Sequence, residues 1–254
     1  MMNSTLELIH AHGSARDYKS DPVPDALIET IVSAAQRAST SSNLQAYSVI
    51  AVTDAGKREK LAKLCGNQMF IAQAPVFLAW CADLARLDRV CELRGYAQVV
   101  DYTENFLISA IDVAIAAQNA ALAAESLGLG ICYIGSIRNN PRDIIALLEL
   151  PRLVFPIVGM TIGFPARAPN LRPRLPLNAL LHREKYNVNQ DDALRAYDRA
   201  MAATGIYTQR QVPVPGKPDN IEEYGWLEHT ARRVSQATRK NLRAILEEQG
   251  FALK

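Results

Sequence analysis

The sequence predicts an α+β fold in which helices surround one mixed β-sheet and a long buried helix lies at the centre. Strand-like and helix-like segments alternate irregularly, whereas a doubly wound parallel fold would alternate them regularly. The strands are few, and one helix, over about residues 103–127, is apolar nearly all round and rich in alanine. These observations place that helix in the core of the protein.

Individual elements follow from the spacing of apolar residues and from capping residues. Apolar, β-branched segments predict strands at Tyr47–Val52, Pro75–Cys81, Ile131–Ile134 and Phe155–Ile162. Helical spacing predicts helices over about residues 3–11, 24–37, 54–64, 103–127, 141–148, 191–203, 222–234 and 239–249. Gly128 is expected to end the long helix in a left-handed conformation. The charged stretch 86–96 has no clear assignment.

Composition is ordinary for a soluble globular enzyme and gives no sign of a polyanionic partner. Of 254 residues, 49% are apolar and 21% are charged, which is too apolar for a disordered chain. The 28 basic and 26 acidic residues leave a net charge of +2, so we expect no nucleic-acid partner. Small side chains along the long helix allow another helix to approach closely, which favours a homodimer contact there.

Several features predict a cytoplasmic protein without a membrane partner. Asp112 and Glu125 interrupt the long helix, so its charge-free runs are shorter than the ~18 residues of a membrane span. The N-terminus shows no basic segment followed by an apolar core. The four cysteines form no Cys-x-x-Cys pair, and we expect free thiols in a reducing compartment.

Three common kinds of site are not indicated. Gly128-Leu129-Gly130 lacks the spacing of a dinucleotide loop, and its first glycine ends a helix where that motif requires the end of a strand. The histidines lack acidic or thiol partners at metal-ligand spacing, so no metal is expected. There is no G-x-S-x-G elbow, and we expect no protein nucleophile.

Two short basic segments could bind an anion. In "HGSAR", His12, Ser14 and Arg16 alternate along the chain and share one side if the segment is extended. In "RPRLP", the prolines favour an extended chain, so Arg172 and Arg174 project in similar directions. Arginines and a hydroxyl group suit a phosphate. Solvated turns would also explain both segments.

A polar run, "STSSN" at residues 39–43, follows the second predicted helix. Hydroxyl and amide side chains commonly bond to their own backbone at such helix ends. The same groups could line a polyhydroxylated chain or a pyrimidine edge of a ligand. The run alone leaves both interpretations open.

Together these stretches resemble the nitroreductase/flavin reductase superfamily, in particular its oxygen-insensitive NADPH nitroreductases and NADPH:FMN oxidoreductases. The matching stretches are "HGSARDY", "RASTSSNLQAYSVIAVTD", "GNQ" at residues 66–68, "AAQNAALAAESLGLGICYIGSIRNN" and "PRLP". Their order and spacing agree from residue 3 to about 187. The resemblance implies an α+β homodimer in which both subunits build each FMN pocket.

The resemblance also implies roles for individual residues. The phosphate contacts would be His12, Ser14, Arg172 and Arg174, and Arg16 would face flavin N1 and C2=O. Hydroxyl groups beside the ribityl chain and ring would be those of Thr40, Ser41 and Ser42. Gln68 would read the pyrimidine edge, and the strand end against the ring would comprise Tyr133, Ile134, Gly135 and Ser136. The Gly135 N–H would point towards N5.

The sequence departs from the family pattern in places. Gly13 stands where a large residue is frequent, and Asn43, near the acceptor, stands where an aromatic residue is frequent. Correspondence thins beyond Tyr186, in the region that tends to bind the NADPH 2′-phosphate. Arg210 and then Lys217 are the candidates for that contact. We divide the chain into an FMN-binding part, 1–187, and a C-terminal helical arm of the same domain, 188–254, that covers the active site or the dimer partner.

The predicted function is an FMN-dependent NAD(P)H oxidoreductase. It would take hydride from NADPH, or NADH, at flavin N5 and reduce nitroaromatics, quinones or free flavin in a ping-pong cycle. The redox chemistry belongs to the cofactor, which agrees with the absence of a predicted acid–base residue. Two alternatives are another flavin enzyme on the same scaffold and a non-catalytic flavin-binding or sensory protein.

Overall fold

The computed structural model describes residues 2–214 and 224–254. Contacts divide the chain into two compact units, which are treated separately below. The first comprises Met1–Asn170 together with Arg239–Lys254, and the second comprises Leu171–Thr238.

A four-stranded sheet forms the centre of the first unit. Its strands are β1 (Tyr47–Val52), β2 (Val76–Asp83), β3 (Gly130–Ile134) and β4 (Val154–Gly163). They lie in the order β1-β2-β4-β3, and β2, between β1 and β4, is buried along its whole length because helices also pack against its side chains. All four strands agree with the predicted ones to within two residues.

The direction of the strands differs from the mixed sheet that the sequence predicts. All three pairings among the described residues are antiparallel. Apolar patterning locates strands but does not determine their partners, and a helical connection can return the chain in either direction. The α+β class and the long central helix are confirmed.

Helices cover both faces of the sheet. In the first unit they are α1 (Ser4–His10), α2 (Asp25–Ala35), α3 (Ala55–Leu64), α4 (Phe70–Gln73), α5 (Ala85–Arg94), α6 (Thr103–Ser126) and α7 (Pro141–Leu148). The second unit contains α8 (Asp191–Ala202) and α9 (Trp226–Val234), and α10 (Leu242–Glu248) belongs to the first. The charged stretch without an assignment is α5, and the short α4 was not predicted.

The long helix α6 packs on the sheet together with α2. Its alanines lie in one apolar cluster with Trp80, Ile131 and Met160, while α3, α4 and α7 contribute to a second cluster around Phe77. By length and composition α6 could cross a membrane, the one such helix in residues 2–214 and 224–254. Its packing is that of a core helix, and Gly128 ends it at a φ of 76°, as predicted.

The end of the chain completes the core of the first unit. Ile245, Leu246 and Phe251 are buried in a cluster with Phe155. The Phe251 ring makes edge contacts with Phe155 and Phe106, with centroids 6.5 and 5.5 Å apart. Residues 239–254 therefore belong to the structural body that contains the sheet.

The second unit has its own polar and aromatic contacts. The rings of Tyr197 on α8 and Trp226 on α9 lie 5.0 Å apart. The Leu227 N–H donates to Asp198 Oδ1 at 2.7 Å, and this bond holds the start of α9 against α8. The sequence predicts this helix from about residue 222, whereas the structure begins it at Trp226.

Candidate functional site

The "HGSAR" segment runs beside β3 in an alternating arrangement. Gly13 and Ala15 are buried, Ser14 is half-buried and Arg16 is exposed. The Ala15 N–H donates to the Ile131 carbonyl at 2.8 Å. An extended segment places alternate residues on opposite sides, so Ser14 and Arg16 face away from the core.

Tyr18 fixes the far end of this segment. Its hydroxyl donates to the Ala15 carbonyl at 2.8 Å and lies 2.7 Å from Thr161 Oγ1 on β4. Burial raises the pKa of the Tyr18 phenol well above its usual range, so the phenol stays neutral. The segment is thus tied to the sheet from both β3 and β4.

His12, which follows α1, pairs with the end of α6. Its Nδ1 lies 2.6 Å from Glu125 Oε1, and the two side chains are 29% and 11% exposed. The other carboxylate oxygen, Oε2, is buried and has no hydrogen-bond partner in the part of the chain that the structure describes. One predicted site residue therefore depends on a carboxylate that sequence reasoning did not assign to the site.

The close approach of Pro169 explains why position 13 carries glycine, which has no side chain. A Cβ atom built at this position would lie 2.9 Å from Pro169 Cβ and 3.0 Å from Pro169 Cγ. Real Cβ atoms are almost never so close, so a larger residue would require Pro169 to move. The departure from the family pattern at position 13 is therefore accommodated by Pro169.

The hydroxyl run forms an exposed 3-10 turn, Ser41–Asn43, preceded by the extended residue Thr40. Ser42 and Asn43 adopt left-handed conformations, with φ of 48° and 57°. The turn is held from α6, where Asp112 accepts the Ser41 N–H with Oδ1 and the Ala46 N–H with Oδ2, each at 3.0 Å. The backbone is therefore anchored while the side chains of Ser41, Ser42 and Asn43 stay exposed.

Gln68 and Ser136 are brought together. Gln68 Nε2 donates to Ser136 Oγ at 2.5 Å and to the Cys65 carbonyl at 2.7 Å. The Gln68 amide is thus oriented from α3 and placed beside the turn that follows β3. Burial raises the pKa of the neighbouring Cys65 thiol to about 12, so it stays protonated and unreactive.

The end of β3 leads into a 3-10 turn, Gly135–Arg138. Ile134 is buried and Tyr133 is half-buried. Burial raises the pKa of the Tyr133 phenol, and the nearby charge of Glu125 raises it further. Tyr133 and Ile134 thus end the strand that runs beside the "HGSAR" segment, and Gly135 and Ser136 begin the turn that follows it.

Arg239 holds this turn from the end of the chain. Its Nη2 donates to the Gly135 carbonyl and its Nε to Asn139 Oδ1, both at 3.1 Å. Arg138 donates to the Ile157 carbonyl on β4. Nothing in the sequence indicated the contact of Arg239, because it lies 104 positions from Gly135.

Arg16 presents an exposed cation. Its guanidinium carbon lies 5.9 Å from the centre of the Phe70 ring on α4, a distance at which a cation is attracted to an aromatic face. Because Phe70 is next but one to Gln68, this contact directs Arg16 towards the segment that carries the Gln68–Ser136 pair.

Three further predicted site residues, Arg172, Arg174 and Arg210, belong to the second unit. Arg172 and Arg174 are exposed on either side of the half-buried Pro173, as expected of an extended chain. Arg174 Nη1 donates to the Arg172 carbonyl at 3.2 Å. Arg210 is exposed, and Lys217 lies outside the described residues.

No metal centre is found among residues 2–214 and 224–254, since no three His, Cys, Asp or Glu side chains gather there. The four cysteines, all within the described residues, form no disulfide, and Cys65, Cys81 and Cys132 are buried. Apart from these, the first unit presents the Arg16 cation, the hydroxyl groups of the 3-10 turn and the Gln68 amide. Such groups suit an organic ligand with a phosphate and a polyhydroxylated chain.

The antiparallel sheet with its helices places the "HGSAR" segment beside β3 and the Gln68–Ser136 pair at the turn that follows β3, an α+β architecture with polar groups suited to an organic cofactor. The Nitroreductase family matches residues 9–164, and the Nitroreductase family, C-terminal domain, matches residues 172–254. The chain belongs to the nitroreductase family.

Individual relatives match almost end to end. The chain is 39% identical to an FMN reductase (NADPH) of Bacillus subtilis, covering 98% of this chain and 99% of that one. It is 38% identical to an oxygen-insensitive NADPH nitroreductase of Salmonella typhimurium, with both chains fully covered. Among solved structures, NADPH:FMN oxidoreductase from Vibrio harveyi complexed with NAD+ aligns with a TM-score of 0.87 at 34% identity, covering 99% of this chain and 100% of that one.

Two carboxylates of the site were missed by sequence reasoning. Asp112 and Glu125 stand out in the sequence only as interruptions of an apolar helix. An acidic residue in the last turn of a helix opposes the helix dipole, and this was the available signal for Glu125. For Asp112 the available signal was less specific: a charged residue among apolar ones on a helix predicted to be buried needs hydrogen-bond partners.

Proposed function

We propose that this protein is an FMN-dependent NAD(P)H oxidoreductase that reduces nitroaromatics, quinones or free flavin. The observation that carries the proposal is the identity of 38–39%, over nearly the whole chain, with relatives named FMN reductase (NADPH) and oxygen-insensitive NADPH nitroreductase. The polar groups beside β3 support the same conclusion on chemical grounds.

The residues present fit FMN. A phosphate needs N–H or O–H donors, which His12 and Ser14 offer along one tethered segment, and Arg16 on the same segment offers a cation to the flavin ring. A flavin's pyrimidine edge both donates and accepts hydrogen bonds, and the Gln68 amide beside Ser136 can do both. The exposed hydroxyls of the anchored 3-10 turn suit a ribityl chain.

The proposal assigns each group to one part of the cofactor. The phosphate is bound by His12, Ser14, Arg172 and Arg174. The ribityl chain and ring are lined by Thr40, Ser41, Ser42, Tyr133, Ile134, Gly135 and Ser136. Gln68 reads the pyrimidine edge, Asn43 lies near the acceptor, and Arg210 and Lys217 are candidates for the NADPH 2′-phosphate.

Bound FMN supplies the hydride acceptor at N5 and the two-electron redox chemistry. The chain positions and tunes this group. Arg16 places a cation next to the N1 and C2=O region, where it stabilises negative charge. The Gly135 N–H would donate towards N5, and the contact of Arg239 with the Gly135 carbonyl fixes the next peptide of the same turn. No nucleophile or acid–base residue is required.

We further propose that NADPH or NADH and the acceptor use the same flavin face in turn. The chain has no glycine-rich dinucleotide loop that would give the nicotinamide a site of its own. Alternate occupation of one face produces a ping-pong cycle.

A homodimeric pocket is part of this proposal. Leu107, Ile111 and Ile115, four positions apart on α6, are 49%, 47% and 40% exposed and form an apolar stripe. Asp112 and Glu125, which hold the hydroxyl turn and His12, are 13 positions apart, or about 20 Å along the helix. That span is longer than the ribityl chain between the two groups of contacts, which favours a pocket completed by a second subunit.

We propose that residues 1–187 bind FMN and that the C-terminal arm predicted over 188–254 covers the active site or the dimer partner, although its last part, 239–254, packs in the first unit. The protein is cytoplasmic and acts on small molecules, without nucleic-acid or membrane partners.

The test is anaerobic spectroscopy of the purified protein. We expect flavin absorbance that NADPH or NADH bleaches and that a quinone or a nitroaromatic compound restores, with parallel double-reciprocal lines in steady-state kinetics. A colourless protein that binds no FMN would contradict the proposal, whereas intersecting lines would contradict only the shared face.

A further inference from the structure

We propose that Glu125 is a positioning residue of the phosphate end of the FMN site and acts through His12. This inference rests on the proposed function, in which His12 contacts the FMN phosphate. Glu125 itself does not touch the ligand.

The short contact fixes which nitrogen of His12 serves the ligand. Glu125 Oε1 lies 2.6 Å from His12 Nδ1, and an ionised carboxylate can only accept a hydrogen bond. Nδ1 therefore donates and carries a proton. The bond holds the ring in one rotation and leaves Nε2 as the nitrogen that can face the phosphate.

Packing alone does not explain Glu125. It lies in the last turn of the 24-residue helix α6, where the helix dipole disfavours a carboxylate. Its side chain is 11% exposed, and Oε2 is buried without a partner in the part of the chain that the structure describes. These features oppose folding stability, so a ligand-binding role is the better explanation for the carboxylate.

The chemistry of a phosphate explains why a carboxylate suits this position. Phosphate oxygens accept hydrogen bonds, so His12 Nε2 must also carry a proton to bind them. The ring is then a cation between two anions. Glu125 stabilises that cation from behind, and a neutral side chain of the same size would not.

Two physical effects predict opposite results. If Glu125 acted only by direct repulsion, the substitution Glu125→Gln would strengthen FMN binding. If it acts through His12, the same substitution weakens FMN binding. Riboflavin, which lacks the phosphate, should be insensitive in the second case.

The experiment measures fluorescence titrations of flavin-free protein with FMN and with riboflavin. We expect Glu125→Gln to raise the Kd for FMN about 5-fold and Glu125→Ala about 10-fold, with that for riboflavin changed less than about 2-fold. Glu104→Gln removes an exposed charge from the first turn of the same helix and is the matched control, expected to leave both constants unchanged.

The substitution Glu125→Gln made in His12→Gln protein provides a second test, which works even if riboflavin binds too weakly to measure. In His12→Gln protein, Glu125→Gln should cause no further loss of FMN affinity. Tighter or unchanged FMN binding by Glu125→Gln, equal losses for both flavins, or a full further loss in the His12→Gln background would overturn the inference. Wild-type protein that does not bind FMN would instead overturn the proposed function, on which the inference depends.

Discussion

The two acidic residues in the middle and at the end of α6 hold two separate segments of the candidate site, the hydroxyl turn and His12, in different ways. Asp112 is 1% exposed, and each of its oxygens accepts a backbone N–H at 3.0 Å. Glu125 has one oxygen on His12, while the other is buried without a partner within the described residues. Asp112, with both oxygens hydrogen-bonded to the backbone, therefore stabilises the fold. Glu125, with one oxygen on His12 and one without a partner, is better suited to a role in ligand binding.

The largest expected effect is that of removing Asp112. Asp112→Ala leaves the N–H groups of Ser41 and Ala46 without their acceptor, which should lower the free energy of unfolding by about 2–4 kcal/mol. Urea unfolding of the flavin-free protein measures this, with Glu104→Ala as the control on the same helix. A loss below about 0.5 kcal/mol, the size of an ordinary surface substitution, would remove the distinction between the two carboxylates.

A smaller effect of opposite sign is expected at Glu125. Glu125→Gln removes a charge that opposes the helix dipole and lacks one partner, so the flavin-free protein should be as stable as wild type or more stable by up to about 1 kcal/mol. The same urea experiment measures this change. A destabilisation comparable with that of Asp112→Ala would mean that Glu125 serves the fold after all.

The smallest effect concerns Tyr133. Burial and then the Glu125 charge raise the pKa of its phenol, so the unfolded chain releases this proton at lower pH than the folded one. Tyr133 therefore contributes to a loss of stability as pH rises above the usual phenol range. In Glu125→Gln the pKa should fall but stay raised by burial.

Alkaline spectrophotometric titration measures that shift, and Tyr133→Phe identifies the signal among the nine tyrosines. An unchanged titration in Glu125→Gln would indicate that the carboxylate carries no charge next to Tyr133.

Local signals explain how much of the fold could be predicted. Strands such as Tyr47–Val52 were placed because runs of β-branched apolar residues are read from the chain itself. The helix Pro141–Leu148 was placed exactly, because a proline in the first turn marks its start. The four residues of α4 are too few to show a helical period, and strand direction depends on tertiary packing.

The candidate site was predictable only where side chains form local motifs or resemble a family. The pairs Asp112–Ser41 and Glu125–His12 join residues 71 and 113 positions apart, so no sequence window contains either pair. Their partners became visible only when α6 was packed beside the hydroxyl turn and the "HGSAR" segment. The sequence does show both carboxylates as costly interruptions of an apolar helix.

The most direct test measures thermal unfolding of the Asp112→Asn and Glu125→Gln proteins with and without saturating FMN. A ligand that binds only the folded state raises the melting temperature according to its affinity. We expect Asp112→Asn to lower the melting temperature without FMN. Glu125→Gln should leave that temperature unchanged or slightly raised and reduce the rise caused by FMN. A Glu125→Gln protein that is destabilised without FMN, yet gains the full wild-type rise with it, would contradict the division between the two carboxylates.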